Sequence, residues 1–227
     1  MGLRTRSVTR IVGLTGPIGA GKSTIARLLA GYGAHVVDAD VLVRDLYETD
    51  RDLQAAIADR FGTDVVAGGR VDRRALAQVV FADRAALADL EALVHPRVFR
   101  LEAKAMAAAR AARAPACVLE AIRIVESGGS ARCDELWIVV ATERVQLARL
   151  AARGVDETEA RRRLATQGTI ASWSDAFFAE SGRLGRFRPI LVLDNNGPME
   201  QVAAEVQRLW AGVIGAGGAA ATPVGGP

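Results

Sequence analysis

The chain has 227 residues, of which half are hydrophobic and 24% are charged. This length and composition exclude a disordered or fibrous protein and are typical of one α/β core that carries insertions. There are 29 Lys and Arg residues against 26 Asp and Glu residues, so the formal net charge is +3. Because the basic residues form no long block, we expect anionic small-molecule ligands and no nucleic-acid partner.

Membrane and secretory signals are absent from the sequence pattern. No apolar stretch reaches the length of a membrane span, and the basic first ten residues are not followed by a hydrophobic region. Cys117 and Cys133 are too few for a disulfide framework. We therefore expect a cytoplasmic protein with no membrane contact, either a monomer or a small homo-oligomer.

Short apolar runs alternate along the chain with longer Ala, Leu and Arg-rich stretches of helical period. A repeated strand-then-helix pattern predicts an α/β fold with a parallel sheet flanked by helices. In chain order, the predicted strands lie in "RIVGLTG", "HVVDAD", "ACVLEAIRIVE", "ELWIVVA" and "ILVLDN".

Two stretches interrupt this alternation. About seventy residues of helical pattern predict a helical insertion, and a later arginine-rich stretch, with Asp156 or Thr158 as a plausible helix cap, predicts a lid. Gly and Pro content predicts disordered ends. The predicted parts are tails at 1–9 and 214–227, a nucleotide-binding core at 10–41, 115–148 and 189–213, a helical acceptor domain at 42–114, and a lid with an insertion at 149–188.

The sequence "GPIGAGKS" fits the GxxxxGK[ST] phosphate loop and lies between an apolar strand and a helix, as that motif requires. Its backbone N–H groups face phosphate oxygens, its lysine reaches the β and γ phosphates, and its serine hydroxyl is a magnesium ligand. The motif predicts binding of ATP and Mg²⁺. We expect nucleotide contacts from Gly16, Gly19, Ala20, Gly21, Lys22, Ser23 and Thr24, with Ser23 also on the metal.

Two carboxylates, Asp38 and Asp40, follow the second predicted strand. Functional groups gather at the carboxyl ends of parallel strands, so both are expected near the phosphate loop. One would accept a proton from an acceptor hydroxyl, while the other contacts magnesium-bound water or caps the next helix. Since the NKxD motif of GTPases is absent, this arrangement favours a small-molecule kinase.

Five ordered segments resemble dephospho-coenzyme A kinases. They run from about Ile11 to Trp210 and comprise "GLTGPIGAGKST", "VVDADVLVRDLY", "VDRRALAQVVFADRAALADLEALVHPRV", "VQLARLAARGVDETEARRRLATQ" and "LDNNGPMEQVAAEVQRLW". The resemblance implies transfer of the ATP γ-phosphoryl group to the ribose 3′-hydroxyl of dephospho-CoA, which gives coenzyme A.

The resemblance also implies roles for individual residues. Asp40 would be the general base, with Lys22 and Arg149 as the other catalytic residues, and Arg163 and Asn196 would contact ATP. His95 precedes a proline, and a helix-start proline with a buried histidine explains that pair equally well. The implied substrate-binding residues are Asp38, Arg44, Arg73, His95 and Arg97.

Two segments depart from the family pattern. Residues 120–126 carry "EAIRIVE" where the family has an apolar D-x-P-L-L-F-E type stretch, and 168–190 are longer than expected and contain Trp173, Phe177 and Phe178. Glu120 ends an apolar run, where it would assist magnesium or simply face solvent. After Gln167 the family has a short basic stretch, whereas this chain has no basic residue before Arg183, and Arg183, Arg186 or Arg188 would supply the missing charge.

These departures keep two alternatives open. One is a P-loop kinase of another small alcohol, such as the shikimate kinases, although their Gly-Gly-Gly turn is matched only partly here. The other is a diverged nucleotide-binding paralogue that acts through a protein partner. Intact Lys22, Ser23 and Asp40 argue against the second alternative.

Overall fold

A computed structural model describes residues 9–216 of the chain. Apolar runs of four to six residues form its longer strands, since such runs bury both faces of a parallel sheet. In chain order the strands are β1 (Arg10–Thr15), β2 (His35–Asp38), β3 (Val66–Ala67), β4 (Arg70–Val71), β5 (Ala116–Glu120), β6 (Glu135–Val140) and β7 (Ile190–Asp194).

The main sheet has the strand order β2-β5-β1-β6-β7. Strand β1 pairs in parallel with β5 and β6, and β6 pairs in parallel with β7. Leu14 at the end of β1 is in register with Glu120 of β5 and Trp137 of β6. The expected α/β fold with a parallel sheet is confirmed, and its centre is the strand that leads into the phosphate loop.

Helices occupy most of the remaining described chain. Their starts follow local chemistry, because aspartate side chains accept the otherwise unpaired first N–H groups: Asp50, Asp72 and Asp156 do so at three of the helices. Within residues 9–216 the helices are α1 (Lys22–Gly31), α2 (Ala39–Thr49), α3 (Arg51–Phe61), α4 (Arg73–Ala82), α5 (Arg84–Ala111), α6 (Glu143–Ala151), α7 (Glu157–Ala165), α8 (Ile170–Arg183) and α9 (Met199–Ala216), with 3-10 turns at Thr63–Val65 and Gly129–Arg132.

Two compact units divide the described chain. One is Asp38–Lys104, which buries Leu53, Ile57 and Val94 in a core of its own. The other contains the sheet, and its core packs α1 and α9 on the strands. The boundary falls within α5 at residue 104, whereas the sequence pattern predicted an insertion ending at 114.

Several local expectations differ from the structure. Strand β2 ends at Asp38, the first residue of "DAD", and the other two residues of that motif begin α2. The stretch "IRIVE" after β5 forms turns instead of strand. The predicted all-helical insertion also contains the short hairpin β3–β4. Pro96 lies inside α5, so the helix-start interpretation of His95–Pro96 is wrong.

The predicted tails lie mostly outside the described residues. At their inner ends they are ordered: Thr9 is buried and its hydroxyl donates to the Ala114 carbonyl, and α9 continues to Ala216. Among the helices described, none combines the length and apolar character needed to cross a bilayer.

Candidate active site at the phosphate loop

The phosphate loop connects β1 to α1 and depends on glycines at tight positions. Gly16 has a φ of 144°, and a Cβ there would lie 2.2 Å from the Val139 carbonyl oxygen. Gly19 has a φ of 78°, and its Cβ would lie 2.9 Å from the Gln146 carbonyl oxygen. Side chains at these positions would collide with β6 or α6, so the glycines let the loop lie directly against both elements.

Lys22 begins α1 and is buried, with 8% of its surface exposed. Its Nζ donates to the Gly16 carbonyl at 2.8 Å and to the Pro17 carbonyl at 3.3 Å, so the ammonium group lies across the loop. The N-terminus of α1 adds its positive end at the same place. Ser23 is exposed and Thr24 half-buried in the first turn. This combination forms a cradle for the phosphates of a nucleotide.

Arg149 and Asn195 hold the loop from the protein side. Arg149, on α6, donates from Nη1 to the Ala20 carbonyl at 2.9 Å and from Nη2 to the Asn195 carbonyl at 2.9 Å. The Asn195 side chain donates from Nδ2 to the same Ala20 carbonyl at 2.7 Å. Arg149 thus lies at the loop, where its contacts are with backbone carbonyls, and its implied catalytic role stays a prediction. In the stretch "DNNG" at 194–197, which the resemblance places close to the adenine, the sequence analysis selected Asn196 and not Asn195.

Gln167, immediately after α7, is a second loop contact that the sequence pattern did not reveal. Its Oε1 accepts a hydrogen bond from the Ile18 backbone N–H at 2.8 Å. A glutamine in a segment of lid-like composition carries no motif that would predict this contact. It connects the end of the predicted lid helix to the nucleotide cradle.

The arginines of α7 are paired with glutamates on the protein surface. Arg163 donates to Glu159 at 2.6 Å, Arg162 donates to Glu159 at 2.7 Å, and Arg161 contacts Glu157 and Glu143. Hydrogen bonds from Arg162 and Arg163 lower the pKa of Glu159 from 4.5 to about 2. The expected role of Arg163 at ATP stays a prediction.

Oxygen donors suited to magnesium lie beside the loop. The Ser23 hydroxyl is in the first turn of α1, and Glu120 ends β5 in register with Leu14, two residues before Gly16. The Glu120 side chain is buried, which argues against its interpretation as a solvent-facing strand end. Magnesium prefers one or two protein oxygens plus phosphates and water, and this donor set fits that requirement. Within residues 9–216, no group of three or more His, Cys, Asp or Glu side chains forms an all-protein metal site.

In the Asp38–Lys104 unit, Asp38 caps α2. Its Oδ1 accepts from the backbone N–H groups of Asp40 and Val41 at 2.9 and 3.2 Å. Asp40 therefore sits in the first turn of α2 with an exposed side chain. Arg44 lies one helical turn later, and its Nε is 3.8 Å from Oδ1 of Asp45. The cap fixes Asp40 at a defined point of the helix, while its role as a base remains a prediction.

The other predicted substrate-binding residues are in the same unit. Arg73 is the first residue of α4. Burial raises the pKa of the Tyr47 hydroxyl, and the positive charge of Arg73 partly offsets that effect. His95 stacks on Phe99, with ring centroids 5.8 Å apart. Arg97 contacts Asp50 at 3.3 Å and lines a groove of about 350 Å³ that also includes Arg100. The groove provides positive charge suited to an anionic acceptor.

Asn196 is exposed beyond β7. Its Oδ1 accepts from the Thr142 backbone N–H at 2.8 Å, and its own N–H donates to Asp194. These contacts tie the end of β7 to the start of α6. Its expected contact with ATP stays a prediction.

The two segments that depart from the family pattern contact each other. Trp173 of α8 is buried, and its Nε1 donates to Glu126 at 2.9 Å. Ser130 in the turn after β5 donates to Glu180 of α8 at 2.9 Å. The longer segment therefore packs on the turn after β5.

Arg188 is buried between α8 and the turn after β5 and contacts both. It is 1% exposed and donates to the carbonyls of Ser130 and Phe177 and to the carboxylate of Glu180. Its guanidinium group also lies 4.1 Å from the centre of the Phe177 ring. Because its donors are used inside the protein, the idea that Arg188 replaces a lid arginine is wrong.

Comparison with known proteins agrees with this geometry. The family model described as dephospho-CoA kinase matches residues 10–182. A dephospho-CoA kinase of Geobacter metallireducens is 38% identical over 205 residues, covering 88% of this chain and 94% of the relative. One from Streptomyces avermitilis is 38% identical over 206 residues, covering 89% and 93%.

Solved structures show the same fold. The crystal structure of TT1252 from Thermus thermophilus is 33% identical with a TM-score of 0.71, covering 90% of this chain and 97% of its own. A dephospho-CoA kinase from Campylobacter jejuni, at 16% identity and a TM-score of 0.54 over 90% of this chain and 97% of its own, shares the fold. Given the family match over most of the chain and the complete phosphate loop, the chain belongs to the dephospho-CoA kinase family.

Proposed function

We propose that this chain transfers the γ-phosphoryl group of ATP to the ribose 3′-hydroxyl of dephospho-CoA and so forms coenzyme A. The observation that carries the proposal is a complete phosphate loop in a chain whose family match covers residues 10–182. The two segments that depart from the family pattern pack on each other, which supports a functional member of the family over a paralogue that has lost the activity.

Binding of the nucleotide is assigned to the loop and to α1. The Lys22 ammonium group would leave the Gly16 and Pro17 carbonyls for the β and γ phosphates, which are stronger acceptors because they are charged. Backbone N–H groups of the loop would surround the phosphates without needing to reorganise. Arg163 and Asn196 are proposed as further ATP contacts.

We propose Mg²⁺ as the metal, held through Ser23 and Glu120, with Asp38 acting through water. When bound, the ion offsets the negative charge of the β and γ phosphates during transfer. One carboxylate oxygen of Asp38 already accepts the backbone N–H groups of Asp40 and Val41 at the start of α2, so its contribution would come from the other oxygen.

Asp40 is proposed as the base that orients the 3′-hydroxyl and accepts its proton. Arg44 lies on the same face of α2, and together with Arg73, His95 and Arg97 it would bind the phosphates and adenosine end of the acceptor. Most of the acceleration would come from positioning and electrostatics, as in phosphoryl transfer generally.

Replacement of Asp40 tests this assignment. Asp40→Asn keeps the size and the helix but removes the base, so CoA formation should fall at least about 100-fold while ATP affinity stays within twofold. Asp45→Asn, on the same helix and also exposed, is the matched control and should keep wild-type turnover. Undiminished CoA formation by Asp40→Asn would exclude the proposed base.

We also propose a cytoplasmic enzyme that is a monomer or a small homo-oligomer. Light scattering after size-exclusion chromatography would measure its oligomeric state. Neither the acceptor assay nor the role of Asp40 depends on the result.

A further inference from the structure

The backbone of Asn195 is held in place by the main sheet. It follows β7, is 1% exposed, and its backbone N–H donates to the Val140 carbonyl at 2.8 Å at the end of β6. Because that bond continues the pairing of β6 with β7, the backbone of Asn195 is as rigid as the sheet. Its side chain extends from this rigid point toward the phosphate loop.

The amide group of Asn195 can take only one orientation. Nδ2 donates to the Ala20 carbonyl at 2.7 Å, and Oδ1 is buried without a hydrogen-bond partner among residues 9–216. Turning the amide over would bring two carbonyl oxygens face to face. A buried polar oxygen without a partner is costly, so a purely structural role does not explain an asparagine here.

The bond to Ala20 controls the direction of the next N–H group. In a trans peptide the carbonyl of Ala20 and the N–H of Gly21 point in opposite directions. Asn195 and Arg149 both bind the Ala20 carbonyl from the protein side. Holding that carbonyl inward therefore turns the Gly21 N–H outward, toward the phosphate cradle.

Gly21 is matched to Asn195 in shape. It has a φ of 97°, and a Cβ at this position would lie 2.2 Å from Asn195 Nδ2 and 3.2 Å from Arg149 Nη1. The close approach shows that the asparagine is packed directly beneath the loop. Any residue but glycine at position 21 would push the amide off the Ala20 carbonyl.

We infer that Asn195 is a positioning residue, which presets the Gly21 N–H for the nucleotide phosphates by holding the Ala20 carbonyl. It acts through the backbone and touches neither substrate. The inference rests on the proposed function of the loop as an ATP site, but it does not depend on the identity of the acceptor.

Asn195→Leu tests the inference because leucine has nearly the same shape. It removes the bond to Ala20 and also the unpartnered Oδ1, so folding stability should change little. ATP affinity, measured by calorimetry without acceptor, should fall about tenfold because the Gly21 N–H group is no longer held in the direction of the phosphates. The KM for dephospho-CoA should stay within twofold.

Gln54→Met is the matched control. Gln54 is also a buried amide that donates to a backbone carbonyl, that of Tyr47 at 3.1 Å, but it lies in the Asp38–Lys104 unit. Its replacement should leave ATP affinity unchanged. Equal losses of ATP affinity in both variants would overturn the inference, as would wild-type ATP affinity in a folded Asn195→Leu protein.

If Asn195→Leu fails to fold, Asn195→Ala provides the same test, because it also removes the donor to the Ala20 carbonyl and adds no charge beside the phosphates. Loss of ATP affinity in this variant supports the inference, and wild-type affinity overturns it. Since ATP affinity is measured without acceptor, a wild-type protein that makes no CoA would refute the proposed function while leaving this result intact.

Discussion

The phosphate loop and the segment 168–188, here called the aromatic segment, use positive charge in opposite ways. In the loop, Lys22 lies at a helix N-terminus and donates to the backbone carbonyls of Gly16 and Pro17, which phosphates can replace. In the aromatic segment, Arg188 is enclosed by carbonyls, a carboxylate and an aromatic ring. The first arrangement is suited to an incoming anion, whereas the second stabilises the fold.

The comparison shows that a basic residue near a kinase lid is not by itself a phosphate ligand. What decides its role is whether its present acceptors are weaker than a phosphate and accessible to one. The arginines of α7 fall between the two cases, because they are exposed but paired with glutamates.

Replacement of Arg188 should have the largest effect on stability. Arg188→Met removes the ion pair with Glu180 and the hydrogen bonds to the Ser130 and Phe177 carbonyls inside the protein, so the free energy of unfolding should fall by about 3–5 kcal/mol. Urea denaturation would measure it. Arg183→Met, an exposed arginine at the end of α8, is the control and should change stability little. ATP affinity of folded Arg188→Met should equal that of wild type, and a large loss would contradict the structural role.

Lys22→Ala should have the opposite profile. The charge that offsets the β and γ phosphates is lost, so kcat should fall about 100- to 1000-fold while stability is largely kept. Initial rates of CoA formation would measure it, with the exposed Arg208→Ala on α9 as control. Full activity in Lys22→Ala would refute the assignment of the loop.

Trp173→Phe sharpens the comparison within the aromatic segment. Loss of the hydrogen bond to Glu126 should cost about 1.5–3 kcal/mol of stability, since the acceptor is charged. Phe178→Leu, at a half-exposed position on the same helix, is the control. Unchanged stability in Trp173→Phe would show that the two departing segments are not coupled through this bond.

The smallest effect concerns Glu159 on α7. Hydrogen bonds from Arg162 and Arg163 lower its pKa to about 2, below the ordinary 4.5. A lowered pKa stabilises the folded state above the unfolded pKa, and this contribution is lost as the pH falls from 4.5 toward 2. The stability difference between wild type and Glu159→Gln should be constant near neutral pH and disappear by about pH 2. NMR titration of the carboxyl group with a midpoint near 4.5 would contradict this pairing.

The parts of the fold that could be predicted are those with local signals. Strand patterns, the glycines and lysine of the loop, and the helix cap at Asp156 depend on neighbours in sequence. The hairpin β3–β4 was not predicted, because its two-residue strands are too short to show an alternation of apolar and polar residues.

The residues that could not be predicted act over long sequence distances. Asn195 contacts Ala20, Gln167 contacts Ile18, and Arg188 contacts Ser130. Single side chains of these types carry no pattern, and only the folded chain shows which of them lie beside the loop. The same limit explains why the sequence leaves Arg183, Arg186 and Arg188 as equal candidates for the missing lid charge.

The most direct test of the account is transfer of a labelled phosphoryl group. Wild-type protein would be mixed with magnesium, dephospho-CoA and ATP carrying ¹⁸O in its γ-phosphoryl group, and the products would be separated and fragmented by mass spectrometry. The account predicts coenzyme A with the label in its 3′-phosphate, formed at a rate that Lys22→Ala and Asp40→Asn both reduce. Labelled inorganic phosphate alone, or label at another position, would contradict it.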